Sequence, residues 1–313
     1  MALSLIEQAK LKTNPLEKGV VMCFPETSPV LEDIEFRNVS SDVYKYNRAD
    51  VLPRSDFRAV NESYTEGTSS LDAVTEALTI SGGFSDVDRA LVKTQGNIND
   101  VRAIHDALKA RSCAMKWQKT FFKGDVEANP KEFDGLQARI SLTGSQLIDA
   151  GSSDGGDAMS LAKLDECMDQ VDGDPDVLYM NKTLRRLLSA AARLSTVAGN
   201  VNYTIDQFGK RVTTYNDVPI RVIENDEAGD AILGFTEVGS GGATATATSV
   251  YAVKFSPIHC FGLQCGDIDV IDMGLYSGGV VYRTLIEWIS GFTLAHNQSV
   301  CRLRGVSNSA IVV

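Results

Sequence analysis

The segment that decides the fold reads LAKLDECMDQV at 161–171, DVLYMN at 176–181 and LRRLL at 184–188. Apolar residues recur every three or four positions in the two outer pieces, which predicts two amphipathic helices. The middle piece is a short, continuous apolar run, which is typical of a buried strand. The segment as a whole therefore predicts a helix–strand–helix unit.

Capping and turn residues set the expected ends of this unit. We expect Asp157 to cap the first helix, and Gly173 and Pro175 to end it. Asn181 is the expected cap of the second helix, which continues to Gly199.

The chain after Val201 has mainly strand-like patterns. Hairpins are expected around Gly209 and Asn216, and the tract GSGGATATATS at 239–249 predicts a flexible loop or a simple edge hairpin. Further strands are expected at 219–223, 250–255, 268–273 and 281–294. Helices and strands in this order predict an α+β fold.

A second helical pattern lies upstream of the decisive segment. Apolar or small residues recur at intervals of four and three, which predicts one long helix from Asp86 to Lys116, about 45 Å in length. We expect its packed seam to include His105 as a packing histidine. The full predicted seam is Val87, Leu91, Thr94, Ile98, Val101, His105, Leu108, Ser112 and Met115.

A basic stripe accompanies this helix. Arg102, Lys109, Lys116 and Lys123 recur every seven residues beside the seam. Two interpretations stay open: a solvated edge whose stems cover apolar surface, or a stripe that pairs with acids of a neighbouring subunit or with packaged phosphate.

The stretch between Gly19 and Thr79 shows no persistent helical face. Short β-type pieces at 20–24 and 42–46 are separated by prolines and charged residues. Such an extended segment leaves many backbone groups without partners in one compact domain. We therefore expect an arm and a hairpin that bind neighbouring subunits, with a disordered N-terminal region as the alternative.

Composition excludes several classes of protein. Of 313 residues, 43% are hydrophobic and 23% are charged, which is ordinary globular usage. The 41 acidic and 30 basic residues give a net charge of −11, so a free-standing nucleic-acid binder or a protein that adheres to anionic membranes is not expected. Six scattered cysteines, no long apolar run and no basic, apolar start predict a protein of the reducing cytosol.

Motifs for chemistry are weak. Gly151–Gly155 matches G-x-S-x-G, but the pattern arises easily by chance, and the apolar run before it is too short for a nucleophile elbow. His259 with Cys260 and Cys265 falls short of four zinc ligands, and the aspartates at 169–176 do not have calcium-loop spacing. We expect no catalytic residue, no metal and no cofactor.

The order of these elements resembles the major capsid proteins of tailed bacteriophages, which have the Hong Kong 97-type fold. The resemblance rests on Asn129–Leu136 after the long helix, on the helix–strand–helix unit, and on the long strands between Tyr282 and Val306. It implies an N-terminal arm, an E-loop hairpin, a spine helix, a peripheral domain and an axial domain. The implied boundaries are 1–40 for the arm, 41–83 for the E-loop, 84–145 and 266–313 for the peripheral domain, and 146–265 for the axial domain.

The function that this resemblance implies is structural. Hexamers and pentamers would form an icosahedral shell around double-stranded DNA, which is enclosed without sequence-specific binding. The expected partners are other copies of the chain, a portal, and possibly separate scaffolding or decoration proteins, without a membrane. Assembly is expected in the host cytoplasm, and the final location is the virion capsid.

Alternatives remain open at this point. An encapsulin-type nanocompartment has the same fold, a serine hydrolase would use Ser152, and an adhesin or tail component would form rings or tubes. The hairpin charges are the expected inter-subunit contacts: Arg48, Arg54, Arg58, Glu62 and Glu66. Since Lys45 is the only E-loop lysine, it is the sole candidate for a covalent cross-link, and none is expected.

Overall fold

The structure is a computed structural model that describes residues 20, 23–24, 27–51, 54–64, 67–68, 70–95, 101–140, 144–193, 201–205, 211–276 and 278–312. Its helices are α1 Pro29–Asp33, α2 Arg89–Gln95, α3 Val101–Lys123, α4 Leu136–Arg139, α5 Leu161–Asp169 and α6 Lys182–Ala191. Its strands are β1 Phe36–Asn38, β2 Val43–Val51, β3 Ser70–Ala77, β4 Thr79–Asp88, β5 Leu147–Asp149, β6 Val177–Met180, β7 Val201–Ile205, β8 Arg211–Tyr215, β9 Val218–Val222, β10 Glu237–Val238, β11 Ala245–Val253, β12 Cys260–Gln264, β13 Asp269–Tyr276, β14 Val281–Leu294 and β15 Val300–Val306.

One sheet is built around the long strand β14. It has the order β1-β12-β14-β13, and β4 also pairs with β14 in antiparallel register. Strand β14 alternates between a buried face, with Ile286 and Trp288, and a less buried face, with Leu285 and Ile289. This alternation is the period of two that the sequence shows in 281–289.

Helix α3 covers the buried face of this sheet with an aromatic cluster. Trp117 lies 5.9 Å from Trp288 and 5.5 Å from Phe121, measured between ring centroids. The Trp117 indole N–H donates a 3.1 Å hydrogen bond to the Ser290 hydroxyl, so the buried polar group has a partner. Large aromatic burial of this kind fixes the helix on the sheet.

A second sheet has the order β5-β15-β11-β6-β9-β8-β7, and β10 pairs with β11. Helices α5 and α6 contribute Leu164, Leu184 and Leu188 to the core of this sheet, together with Leu178 of β6. Here the predicted helix–strand–helix unit is confirmed. The Asn181 side chain caps α6 by accepting a 2.8 Å hydrogen bond from the Leu184 backbone N–H.

The strand predictions for the second half of the chain are also confirmed. Strand β14 has the predicted bounds, and β9, β11 and β13 lie on the other three predicted segments. The Gly/Ala/Thr tract forms an edge hairpin between β10 and β11. Asn216 and Asp217 have positive φ angles of 46° and 65° in the tight turn between β8 and β9.

The predicted spine helix is wrong at both ends. Residues 79–88 form β4, α2 follows, and α3 runs seven residues beyond Lys116 to Lys123. The predicted seam is also wrong, because Leu91 and Leu108 are exposed and His105 faces solvent. The buried residues of α3 are Asp106, Ala110, Ala114, Trp117, Gln118, Thr120, Phe121 and Phe122.

Two capping predictions also need correction. Ser160, with extended backbone, occupies the N-cap position of α5, while Asp157 accepts hydrogen bonds from the Ser153 hydroxyl and backbone N–H at 2.7 and 3.0 Å. Helix α6 ends at Ala191 rather than Gly199, and 194–200 lie outside the described residues.

The described part of the predicted N-terminal arm packs on its own subunit. Val20 and Phe24 are buried in helical turns instead of the predicted strand, and Val30 and Phe36 join the aromatic core. Strand β1 pairs with β12 in parallel. The apolar side chains of these residues are covered by α3 and the first sheet of their own subunit, and contact of the arm with neighbouring subunits stays a prediction.

The domain boundaries stay a prediction. Two strands cross the expected division, since Cys260–Gln264 lies in the first sheet and Val300–Val306 in the second. The chain passes from one sheet to the other between β11 and β12 and again between β14 and β15, so short connections link the two cores.

Candidate assembly surfaces

Strands β2 and β3 form a hairpin within 41–83, the segment that the resemblance assigns to the E-loop, and the base of this hairpin is fixed on the body. The Tyr46 hydroxyl donates a 2.9 Å hydrogen bond to the Leu294 carbonyl. Glu76 accepts both guanidinium NH groups of Arg139, one of them at 2.8 Å, and Arg139 lies 4.5 Å above the Phe292 ring. A partly buried bidentate pair of this kind sets both position and angle.

The charged side chains of the hairpin tip, residues 54–64, make contacts within the tip itself. Arg54 Nε lies 2.8 Å from Asp56 Oδ1, although the Arg54 side chain is largely exposed. Arg58 donates to the Glu62 carbonyl at 3.3 Å, and the Glu62 carboxylate accepts the Ala59 backbone N–H at 3.0 Å. These contacts shape the turn.

Two of the predicted contact residues cannot be placed in this network. Arg48 lies in β2, with its backbone opposite Asp72, and its side chain is outside the described part of the structure. Glu66 also lies outside the described residues. The contact role of all five predicted charges stays a prediction.

Apolar side chains are the exposed feature of the tip. Phe57 and Val60 have relative exposures of 106% and 88%, and Tyr64 is 66% exposed beneath Arg58, 5.2 Å from its ring centroid. Reasoning from sequence selected the charges and missed these residues. The available signal was that three large apolar residues stand in a polar segment after Pro53, with no periodicity to bury them.

A second apolar surface is the outer face of the first sheet, opposite helix α3. Phe84, Leu285 and Ile271 are cross-strand neighbours in one row, and both Phe84 and Ile271 are about half exposed. Arg283 lies over the Phe84 and Tyr276 rings at 4.6 and 4.1 Å. Its ion pair with Asp86 lowers the pKa of that carboxyl, chiefly through the hydrogen bond from Arg283.

The basic stripe of α3 pairs with acids of the same chain. Arg102 contacts Asp272 at 2.8 Å, Lys116 contacts Glu132 at 2.7 Å, and Lys123 lies 3.8 Å from Glu237. The interpretation that this stripe awaits a neighbour's acids or packaged phosphate is therefore not supported for these three residues.

The G-x-S-x-G segment does not form a nucleophile elbow. The preceding strand β5 has three residues, a turn follows, and α5 begins only at Leu161. Ser153, and not Ser152, occupies the nucleophile position of this motif; within the described residues its hydroxyl donates to Asp157, and neither serine has a hydrogen bond to a histidine. This geometry lacks the base that a serine nucleophile requires.

Distant residues meet in a cluster that the sequence did not predict. Asp172, His259 and His296 place one possible ligand atom each within 4.8 Å of one another. Burial lowers the pKa of His259, and the charges of Lys254 and His296 act in the same direction. Neither Cys260 nor Cys265 takes part in this cluster, although both lie near His259 in sequence.

The chain is similar to a known protein family over part of its length. The family described as major capsid protein GP7 matches residues 14–166. No curated protein sequence matches the chain.

Solved structures with this fold cover almost the whole chain. The holo-SrpI encapsulin of Synechococcus elongatus PCC 7942 has a TM-score of 0.64 at 12% identity, covering 92% of this chain and 91% of its own. The capsid of a native GTA particle has a TM-score of 0.60 at 11% identity, covering 90% and 91%. Microbacterium phage Oxtober96 has a TM-score of 0.59 at 13% identity, covering 90% and 91%.

These matches define the class. The fold is the Hong Kong 97-type capsid fold, so the predicted fold and the resemblance to phage major capsid proteins are confirmed. The chain has the fold of shell-forming capsid and encapsulin proteins, and the family match over residues 14–166 agrees with a structural role. None of the described helices is long and apolar enough to cross a membrane.

Proposed function

We propose that this chain is a phage major capsid protein whose hexamers and pentamers close an icosahedral shell around double-stranded DNA. The family match and the capsid fold support this proposal. Copies of the chain are its main partners, and a portal with separate scaffolding or decoration proteins would complete the particle. The proposed location is the virion capsid, after assembly in the host cytoplasm.

The observation that carries the proposal is the contrast within the hairpin. Its base is held by the Glu76–Arg139 pair, whereas its tip presents Phe57 and Val60 to solvent. Burying one such side chain contributes about 1.5–3 kcal/mol. A closed symmetric assembly repeats this contribution at every subunit, and the fixed base aims each tip in the same direction.

The charge of the chain is compatible with enclosed DNA. A net charge of −11 disfavours tight, non-specific binding to phosphates, so the shell would enclose DNA without binding it tightly. Because the cations at Arg102, Lys116 and Lys123 already face acids of the same chain, these three side chains are less available to DNA phosphates.

An encapsulin-type compartment is the second candidate. The similarity to the SrpI encapsulin, with a TM-score of 0.64, favours it as much as the phage structures favour a capsid. A shell with a protein cargo and a shell with DNA use the same subunit fold, so their contents separate the two functions.

The test is negative-stain microscopy with light scattering on the purified chain, expressed alone and with the genes adjacent to its own. Sixty copies of 33.8 kDa weigh about 2 MDa, the smallest icosahedral mass. Closed shells that protect double-stranded DNA from nuclease support the capsid. Shells with protein cargo and no DNA support the encapsulin, and a 34 kDa monomer under every condition contradicts both.

Variants of the tip test the contact surface. We expect the pair Arg54→Glu with Arg58→Glu, and separately Phe57→Ser, to reduce shell yield at least tenfold with unchanged thermal unfolding of the subunit. A matched control is Lys131→Glu with Lys182→Glu, which makes the same charge change at exposed positions of the body. Normal shells from both tip variants would refute the contact role of the hairpin.

A further inference from the structure

Three chain segments meet where the two sheets join. Asp172 follows α5, His259 precedes β12, and His296 follows β14. Backbone hydrogen bonds hold these segments together: the Ala295 N–H donates to the His259 carbonyl at 2.8 Å, and the Asp172 N–H donates to the Gln298 carbonyl at 2.9 Å. The side chains of the cluster are thus held by rigid backbone from both cores.

The orientation of His259 leaves one ring nitrogen available. The Ser299 hydroxyl donates to the His296 carbonyl at 2.7 Å, so its oxygen can accept from His259 Nδ1–H, 3.5 Å away. A metal ion at Nε2 requires the ring proton on Nδ1, where the Ser299 oxygen can accept it. An outer hydrogen bond of this kind orients metal-binding histidines.

We infer that Asp172, His259 and His296 form a zinc site. Two imidazoles and one carboxylate are a borderline donor set that suits Zn²⁺, whereas Mg²⁺ and Ca²⁺ prefer oxygen ligands alone. Ligand atoms around tetrahedral zinc lie about 3.4 Å apart, given bonds of about 2.0–2.1 Å. Small side-chain rotations would close the present spacing of up to 4.8 Å. Water or a group from another subunit would fill the fourth position.

Two contacts weaken the binding of a cation at this cluster and lower the expected affinity for zinc. The Lys254 ammonium donates to the carbonyls of Asp172 and Gly173, which brings a positive charge near the site. His296 Nδ1 accepts the Gln298 N–H at 3.2 Å. That contact is lost on ligation, because either Nδ1 binds the metal or the ring proton moves to Nδ1. It is long and exposed, so its loss costs little.

Zinc at this point would join the end of α5 to the two turns that flank β12 and β14. A cation that binds only the folded chain stabilises it in proportion to the logarithm of its concentration over the Kd. This effect belongs to the single subunit, so it is independent of the proposed shell.

The experiment is calorimetric titration of the chelator-treated chain with ZnCl₂, together with thermal unfolding with and without zinc. The variants Asp172→Asn and His296→Gln change partly exposed side chains, so both should fold; His105→Gln is the matched control on exposed α3. We expect one zinc per chain, with a raised Tm, in the parent and in His105→Gln. Both cluster variants should bind at least tenfold more weakly.

A variant that should bind zinc more tightly provides a second test of the site. Lys254→Gln keeps a hydrogen-bond donor and removes the nearby charge, so zinc should bind several-fold more tightly. Zinc binding that survives both cluster variants, an equal Tm shift with MgCl₂, or no binding to the parent chain would each overturn the proposal.

Discussion

The helix–strand–helix unit and the hairpin are stabilised in opposite ways. In the unit, Leu164, Leu178 and Leu184 are fully buried by elements within 30 residues or by the adjacent strands of their own sheet. In the hairpin, the tip residues Phe57 and Val60 have no apolar neighbour within the described chain that buries them. The first region is complete within one subunit, and the second leaves large apolar side chains exposed.

This difference separates the residues that determine folding from those proposed to determine assembly. Burial within the subunit determines whether the chain folds, and apolar surface left exposed on a rigid element determines what it binds. The Glu76–Arg139 pair stands at the boundary between the two, because it ties the hairpin to the body. The same side chains can therefore be tested separately for folding and for association.

The largest expected effect is in the core of the second sheet. Leu178→Ala leaves a cavity among α5, α6 and β11 and should reduce the free energy of unfolding by about 2–5 kcal/mol. Phe57→Ala removes a larger side chain from the tip and should change it by less than about 0.5 kcal/mol. Urea unfolding of the unassembled subunit measures both changes. Equal losses in the free energy of unfolding would contradict the distinction between the buried core and the exposed tip.

An intermediate effect is expected at the hairpin base. Glu76→Gln keeps the shape but removes the charge that binds Arg139, which should cost about 1.5–3 kcal/mol locally. Hydrogen exchange should accelerate at the β3 amides of 74–77 and stay unchanged in β11. The control Glu62→Gln alters a carboxylate of the tip and should leave the base protected; faster exchange across both sheets would show that the pair supports the whole fold.

The smallest expected effect separates two helix caps. Asn181→Ala removes the side-chain acceptor for the Leu184 N–H and also the amide donor to the Leu233 carbonyl, and should destabilise the subunit by about 1–2 kcal/mol. Ser160→Ala, at the cap of α5, removes a side chain that makes no capping hydrogen bond and should have almost no effect. Thermal unfolding resolves this difference, and equal shifts of Tm would show that capping at Asn181 is unimportant.

The sequence predicted the elements in which local and tertiary preferences agree. β6 and β14 have the predicted bounds, and Asn181 caps α6, because the apolar pattern, the turn residues and the final burial all indicate the same structure. The order of such elements was sufficient for the capsid resemblance.

The predicted spine helix shows why other elements were predicted wrongly. Residues Val87 to Met115 fit a helical spacing, but β4 gains ten residue pairs with β14, a distant strand that no local pattern reveals. The true buried face of α3 depends on Trp117, Phe121 and Phe122, which lie past the predicted end. Long-range sheet pairing overrode the local periodicity.

The candidate sites were harder to predict than the fold. The cluster joins Asp172 to His259 and His296, both of which follow it by more than 80 positions in the sequence, so only the fold brings them together. At the tip, the charges stood out in the sequence, whereas the exposure of Phe57 depends on the hairpin extending beyond any neighbour in its own chain.

The junction between hairpin and body also has a mechanical consequence. Only Leu78 separates β3 from β4, and β4 pairs with β14 over ten consecutive residues, from Thr79 to Asp88. Tension along β4 would load these ladder hydrogen bonds together in shear, so that none can break far ahead of the others. In the proposed shell, tension on a hairpin anchored in this way should separate it from the neighbouring subunit before it detaches from its own.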